Sequence, residues 1–134
     1  MSAAVADFRP AAPAATKQKK TGESERVVEL VENPDILADL AHNRRRDGQT
    51  VVGFAAETGD ESGSVAEYGR QKAARKGADL MVINEVGTSK GFGNVSTSIT
   101  LIDCAGSVYA TGTGSKGQLA RVILDTISSW RFAH

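Results

Sequence analysis

The residues with the clearest chemical potential surround a short β-branched run that ends in small side chains. Two valines at positions 51 and 52 lead into Gly53, Phe54 and Ala55. Such a run is typical of a buried strand, and its glycine allows backbone to approach a flat ligand closely. Phe54 offers that ligand an aromatic ring near the carboxyl end of the strand. An ordinary core position is the alternative for Phe54.

Two further groups of residues suit a phosphorylated ligand. Lys72 and Lys76 are four residues apart, so they share one helix face and could neutralise a polyphosphate. The segment Asn33-Pro34-Asp35 precedes an apolar stretch, where a helix amino terminus presents unpaired N–H groups. A solvated helix face and a simple helix cap are the respective alternatives. Nucleotide binding is the interpretation that uses all three features.

The composition favours a small ligand over a polyanion. The chain has 134 residues with 16 basic and 16 acidic side chains, so its formal net charge is zero. This balance does not favour nucleic acid or a membrane surface. No apolar run is long enough to cross a bilayer, and the amino terminus does not resemble a signal peptide. We expect one cytoplasmic domain without nucleic-acid or membrane partners.

Patterns for a protein-bound metal or a cysteine nucleophile are weak. Cys104, the single cysteine, falls in a predicted hairpin turn with no histidine near it in sequence. His42 and His134 have no partners at metal-ligand spacing, so no protein metal site is predicted. A Mg²⁺ ion would be bound mainly through substrate phosphates. Residues 112–116 fail the Walker phosphate-loop pattern, because Gly117 follows the lysine.

The order of the predicted elements indicates an α/β fold. Strands are predicted at 25–32, 49–55, 79–84, 97–102 and 108–111, and helices at 34–44 (with Asn33 as cap), 64–76 and 116–130. This order favours a mostly parallel, Rossmann-like sheet with helices on both faces and an added antiparallel hairpin. Residues 7–24 are predicted to form a long, mobile, flap-like loop. Residues 2–6 have buried-strand character, which suggests that an amino-terminal part of the fold is missing.

Several short motifs occur in a fixed order along the chain. They are the segments at 3–10 and 17–20, NPDIL at 33–37, VGFAAET at 52–58, NEV at 84–86, GFG at 91–93, GSK at 114–116 and the segment at 123–127. Together they closely resemble the carboxyl-terminal half of phosphopantothenoylcysteine synthetase, or phosphopantothenate–cysteine ligase, of the DNA/pantothenate metabolism flavoprotein family. The resemblance covers essentially the whole chain. Compared with the family, this chain lacks the glycine-rich amino-terminal section that holds the substrate phosphate.

The resemblance implies a ligase reaction of coenzyme A biosynthesis. The family uses CTP and Mg²⁺ to convert the carboxylate of 4′-phosphopantothenate into an acyl-cytidylate, from which cysteine then displaces CMP. Lysines and Mg²⁺ suit this step, because attack on the α-phosphorus develops negative charge. FMN is expected only where the domain is fused to a flavin-dependent decarboxylase. A homodimer is also implied.

The same resemblance implies roles for individual residues. Lys17, on the flap-like loop, is the expected catalytic residue and is expected to stabilise the reacting phosphate. Lys72 and Lys76 are expected to bind the triphosphate, and Phe54 to pack on the nucleotide. The remaining expected contacts are with the nucleotide for Asp7, Pro34, Asp35, Ile36 and Leu37, and with phosphopantothenate for Ala3 and Ala4.

A second functional class stays open at this point. Without the section that holds the substrate phosphate, the chain could be a truncated, non-catalytic nucleotide-binding or dimerisation module. An in-frame, glycine-rich strand–loop–helix encoded upstream of Met1 would favour the ligase, and its absence would favour the module.

Overall fold

The chain divides into two compact units, residues 3–35 and residues 36–134. The computed structural model describes residues 6–17, 19, 22, 27–58, 64–86 and 97–133. Among these residues, no helix is both long enough and apolar enough to cross a membrane.

The smaller unit contains a two-stranded antiparallel sheet. Strand β1 (Phe8–Pro10) pairs with β2 (Leu30–Glu32). Just beyond the strands, the Asn33 N–H donates a hydrogen bond to the Asp7 carbonyl at 2.8 Å. The prediction of a loop over 7–24 is therefore wrong for β1, and β2 is shorter than the strand that the sequence predicted. The short strand results from the pairing, because β1 offers only three partner residues.

Asn33 does not cap a helix, and that prediction is wrong. Its Nδ2 donates to the Ala6 carbonyl at 2.7 Å, and its Oδ1 accepts a hydrogen bond from Arg9 at 3.0 Å. The physical reason is that these two hydrogen bonds occupy the Asn33 side chain, which therefore does not accept from the helix amino terminus. Helix α1 (Ile36–His42) begins beyond Pro34 and is shorter than predicted.

The larger unit contains a four-stranded mixed sheet. Its order is β3 (Val52–Glu57), β4 (Leu80–Glu85), β5 (Thr97–Ile102) and β6 (Val108–Gly114). Strands β3 and β4 are parallel, whereas β4–β5 and β5–β6 are antiparallel. The α/β class and the added hairpin are confirmed. Parallel pairing is confined to β3 and β4 in the described part of the chain, and the strand expected at 2–6 lies almost wholly outside it.

Two longer helices complete the larger unit. Helix α2 (Val65–Lys76) connects β3 to β4, and α3 (Lys116–Ala133) follows β6. Ser64 and Glu67 form a reciprocal capping box at the start of α2, where hydrogen bonds from Ser64 lower the pKa of the Glu67 carboxyl. Gly77 ends α2 in the left-handed conformation, with φ of 65°. The predicted bounds of α2 are confirmed.

Helices cover both faces of this sheet, as predicted. Side chains alternate between the faces along each strand, so Gly53 and Ala55 lie on one face of β3 and Phe54 on the other. One buried cluster joins α1 and α2 to the first face through Leu37, Ala41, Val51, Ala55, Ala73, Ala78, Met81, Ile83 and Ile102. The other joins α3 to the second face through Val82, Ile99, Leu101 and Leu119.

An ion pair fixes the amino-terminal ends of β3 and β4. The Asp79 carboxylate accepts hydrogen bonds from the Val51 N–H at 2.6 Å and from the Arg44 guanidinium at 2.6 and 2.9 Å. The hydrogen bond to Asp79 raises the pKa of Arg44 above its ordinary value. This arrangement ties the residue before β3 to the residue before β4, at the end of the sheet opposite the strands' carboxyl ends.

The β5–β6 turn is organised by one carboxylate. Asp103 Oδ1 accepts hydrogen bonds from the N–H groups of Ala105 at 2.9 Å and Ser107 at 2.8 Å, and Tyr109 donates to Oδ2. Burial raises the pKa of Asp103, but these hydrogen bonds lower it by more, so the net direction is downward. Cys104 is exposed in this turn, as the hairpin prediction requires.

Replacement of Gly53 tests the close contact between α1 and β3. A Cβ atom there would lie 2.4 Å from Leu37 Cδ2 and 2.5 Å from Met81 Sδ. Gly53→Ala is expected to lower the free energy of unfolding by about 1–3 kcal/mol through overpacking, measured by urea denaturation. Gly117→Ala is the matched control, because nothing lies within 4 Å of its added Cβ. Equal stability of the two variants would contradict this account.

Titration of Asp103 tests the turn. Its folded-state pKa lies below the unfolded value, so its stabilising contribution is present above about pH 4 and is lost as the pH falls through the folded pKa. Asp103→Asn is expected to lower the free energy of unfolding by about 1 kcal/mol at pH 7 and by much less near pH 2.5. An equal loss at both pH values would show that the ionised carboxylate is not what stabilises the turn.

Candidate functional site

Two predicted nucleotide contacts, Ile36 before Leu37 and Phe54 after Gly53, flank a close contact between α1 and β3. Leu37 fills the space above the Gly53 backbone on the face that α1 covers, whereas Phe54 lies on the opposite face of β3. Ile36 is 44% exposed and Phe54 is 45% exposed. Phe54 is the only large apolar side chain of β3, β4 and β5, all fully described, that stays exposed. The alternative of a core position for Phe54 is therefore wrong.

The role predicted for Gly53 itself is also wrong. The sequence suggested that this glycine admits a flat ligand, but it is buried, and the available space is occupied by Leu37 and Met81. Leu37 is only 6% exposed. Its side chain thus supports the site from the core, and a nucleotide contact by Leu37 would have to use its backbone. The assignment of Leu37 as a nucleotide contact stays a prediction.

Lys72 reaches the carboxyl end of β3. Its Nζ lies 2.6 Å from Oε1 of Glu57, the last residue of that strand. The side chains are 32% and 15% exposed, so the pair is largely shielded from water. Oε1 is buried and the contact lacks hydrogen-bond alignment, so it is primarily an attraction between charges. In α/β proteins with parallel strands, ligands typically bind beyond the carboxyl ends of those strands.

Lys76 lies one helical turn beyond Lys72. It is the last residue of α2 and is partly buried. It therefore sits at the end of α2 farther from Ser64, toward the start of β4. The structure confirms that Lys72 and Lys76 share a helix face, but it places only Lys72 against the end of β3.

The smaller unit brings three other predicted residues together. The hydrogen bond between the Asn33 N–H and the Asp7 carbonyl holds Asp7 beside the segment that continues into Pro34 and Asp35. All three of these residues are exposed. Lys17 is also exposed in this unit. Ala3 and Ala4 lie outside the described residues, so their predicted contact with phosphopantothenate stays a prediction.

The structure adds polar groups that the sequence predictions missed. Thr97 Oγ1 donates to Asn84 Oδ1 at 2.7 Å, and Asn84 pairs in register with Ala56 at the carboxyl ends of β3 and β4. Glu57 is the other missed residue. One signal could have found both Asn84 and Glu57, because each is a polar residue at or next to the end of a strand that is otherwise largely apolar.

The described residues contain no group of three or more His, Cys, Asp or Glu side chains that could hold a metal ion. A Mg²⁺ ion does not need such a group, because it usually retains water and takes phosphate oxygens of the substrate as ligands.

Comparisons with known proteins agree with this arrangement. The chain is 44% identical, over 135 aligned positions, to the coenzyme A biosynthesis bifunctional protein CoaBC of Mycolicibacterium smegmatis, covering 97% of this chain and 32% of the relative. It is 40% identical over 129 positions to the protein of the same name from Vibrio vulnificus, covering 95% and 31%. The chain thus spans about a third of the length of the curated relatives it matches.

A solved structure and a family model give the fold and the family. The crystal structure of the DNA/pantothenate metabolism flavoprotein from Streptococcus pneumoniae matches with a TM-score of 0.64 at 15% identity, over 95% of this chain and 60% of that one. This likeness confirms the predicted Rossmann-like α/β class. The model of the DNA/pantothenate metabolism flavoprotein C-terminal domain matches residues 1–130. The chain therefore belongs to the DNA/pantothenate metabolism flavoprotein C-terminal domain family.

Proposed function

We propose that this chain is the phosphopantothenoylcysteine synthetase part of a cytoplasmic coenzyme A biosynthesis protein. Its reaction would join 4′-phosphopantothenate to cysteine at the expense of CTP, through an acyl-cytidylate. The relatives named for coenzyme A biosynthesis support the pathway, since they match nearly the whole chain. The CTP-dependent ligation itself rests on the resemblance of the motifs.

One geometric observation carries the proposal. The Lys72 ammonium reaches the carboxyl end of β3, and the same strand leaves Phe54 45% exposed. An ammonium is suited to a phosphate, and an aromatic ring is suited to the face of a base. These residue types suit the phosphates and the base of a nucleotide.

The lysines suit phosphate binding and the chemical steps of the proposed ligation. Lys72 supplies a cation for the phosphates at the carboxyl end of β3, and Lys76 extends that charge along α2. Lys17 would stabilise the negative charge that develops as the substrate carboxylate attacks the α-phosphorus and pyrophosphate leaves. Cysteine would then attack the acyl carbon and release CMP. Such charge stabilisation is most effective where water is excluded.

Mg²⁺ is proposed to enter with CTP. A nucleotide-bound Mg²⁺ takes its ligands mainly from phosphate oxygens and water, so it requires few from the protein. When bound, the ion would supply countercharge to the phosphates. FMN is proposed only for a fused decarboxylase.

A homodimer is proposed because the family resemblance implies one, with the β5–β6 hairpin as a contact. The position of β6 supports this, since among the described residues it is an edge strand of the four-stranded sheet, and an edge strand can pair with another chain.

The proposed phosphate contact is tested by Lys72→Ala. Loss of one charge-assisted contact is expected to weaken CTP binding by about 10-fold or more, measured by titration calorimetry. Arg75→Ala is the matched control, because Arg75 carries the same charge on the same helix and is exposed. Its CTP affinity should stay within about twofold of the wild type. Similar losses for both variants would point to a diffuse charge effect.

Lys72→Ala also has a predicted cost to stability. The variant leaves Glu57, whose side chain is 15% exposed, without its countercharge, so the free energy of unfolding should fall by about 1–3 kcal/mol. Binding must therefore be measured below the unfolding transition.

The catalytic role proposed for Lys17 predicts a separation of chemistry from binding. In the full-length gene product, Lys17→Gln is expected to raise the barrier to acyl-cytidylate formation by about 2–4 kcal/mol while CTP affinity changes little, because the contact strengthens in the transition state. Rapid-quench measurement of the acyl-cytidylate checks this. Lys19→Gln, an exposed lysine in the same segment, is the control.

The outcomes for Lys17 separate the two functional classes. Normal acyl-cytidylate formation by Lys17→Gln would remove the catalytic role. CTP binding by the full-length wild type, without any acyl-cytidylate, would favour the non-catalytic nucleotide-binding module. Absence of CTP binding would reject the ligase.

A further inference from the structure

Glu57 has the position of a residue that orients another side chain. It ends β3, and its carbonyl accepts a hydrogen bond from the Val86 N–H at 2.9 Å, beyond the end of β4. Its backbone is also in register with Glu85 on the parallel strand. The carboxylate therefore projects from backbone that the sheet holds in place, unlike a carboxylate on a loop.

Lys72 approaches this carboxylate from α2. The 2.6 Å distance between Nζ and Oε1 places the ammonium at the carboxyl end of β3. An ammonium has three N–H donors, so contact with one carboxylate leaves donors for a ligand. Lys72 is still 32% exposed, which gives a ligand access to it.

We propose that Glu57 is a positioning residue, which holds the Lys72 ammonium ready for the triphosphate of the nucleotide. This inference rests on the proposed function. A free lysine side chain loses rotational freedom when it binds a phosphate, which costs affinity. In this protein the ion pair has already restricted Lys72 before the nucleotide arrives. Because Lys72 is already restricted, the affinity for the nucleotide should be about threefold to tenfold higher than with a freely rotating lysine.

Simple electrostatics predicts the opposite sign. Removal of a carboxylate near an anionic ligand reduces repulsion and should strengthen binding. Positioning predicts that the same removal weakens binding, because the ammonium is no longer held. The sign of the change therefore separates the two effects.

A double-mutant cycle tests the proposal. CTP affinity is measured by titration calorimetry for the full-length wild type, Glu57→Gln, Lys72→Met and the double variant. Glu57→Gln is expected to weaken CTP binding about threefold to tenfold in the wild type and by less than twofold in the Lys72→Met background. Asp125→Asn removes an equal charge from the exposed side of α3 and should change affinity by less than twofold.

Three results would overturn the proposal. They are tighter CTP binding by Glu57→Gln, an equal loss in both backgrounds, or an equal loss in Asp125→Asn. The first two, with normal binding by the wild type, leave the proposed function intact. If the wild type does not bind CTP, the proposed function fails and the role of Glu57 toward the nucleotide fails with it.

A second measurement covers the case in which Glu57→Gln does not fold. Lysine side-chain NMR of the unmodified protein, with the Lys72 signal assigned by its loss in Lys72→Met, is expected to show restricted motion before CTP is added. Exposed Lys19 serves as the mobile reference. Motion of Lys72 equal to that of Lys19 would overturn the proposal without any glutamate variant.

Discussion

The absence of a side chain at Gly53 is the constraint on which the site depends. It lets Leu37 pack directly onto the β3 backbone, where a Cβ would lie 2.4 Å from the leucine methyl. Leu37 lies on the face of β3 that α1 and α2 cover, and Phe54, the residue after the glycine, lies on the opposite face. The glycine therefore sets how closely α1 approaches β3, and it acts through the core.

Asn33 imposes a second constraint. Its side chain bonds to the Ala6 carbonyl and to Arg9, which connects β1 to the end of β2. Its N–H donates to the Asp7 carbonyl, so Asp7 is held beside the end of β2. The predicted nucleotide contacts from Pro34 to Leu37 follow directly in the chain, between β2 and the first turn of α1.

Local signals in the sequence were enough to predict much of the larger unit. Capping by Ser64 and Gly77 determines α2 almost to the residue, since both signals act within one turn of the helix. β1 was missed because its partner in the described part of the chain is β2, at least twenty positions away in sequence, and three residues carry no periodicity to detect. The burial of Leu37 was likewise inaccessible, because it depends on how α1 packs on β3.

The carboxyl end of the β3–β4 pair combines polar groups from both faces of the sheet. Glu57 lies on the face covered by α1 and α2, where it pairs with Lys72, whereas Asn84 lies on the other face and accepts a hydrogen bond from Thr97. In each case the strand residue is fixed by the sheet and its partner comes from a different element. The same backbone pairing that ends the apolar core therefore also orients these polar groups, so their arrangement is already present in the folded chain without a ligand.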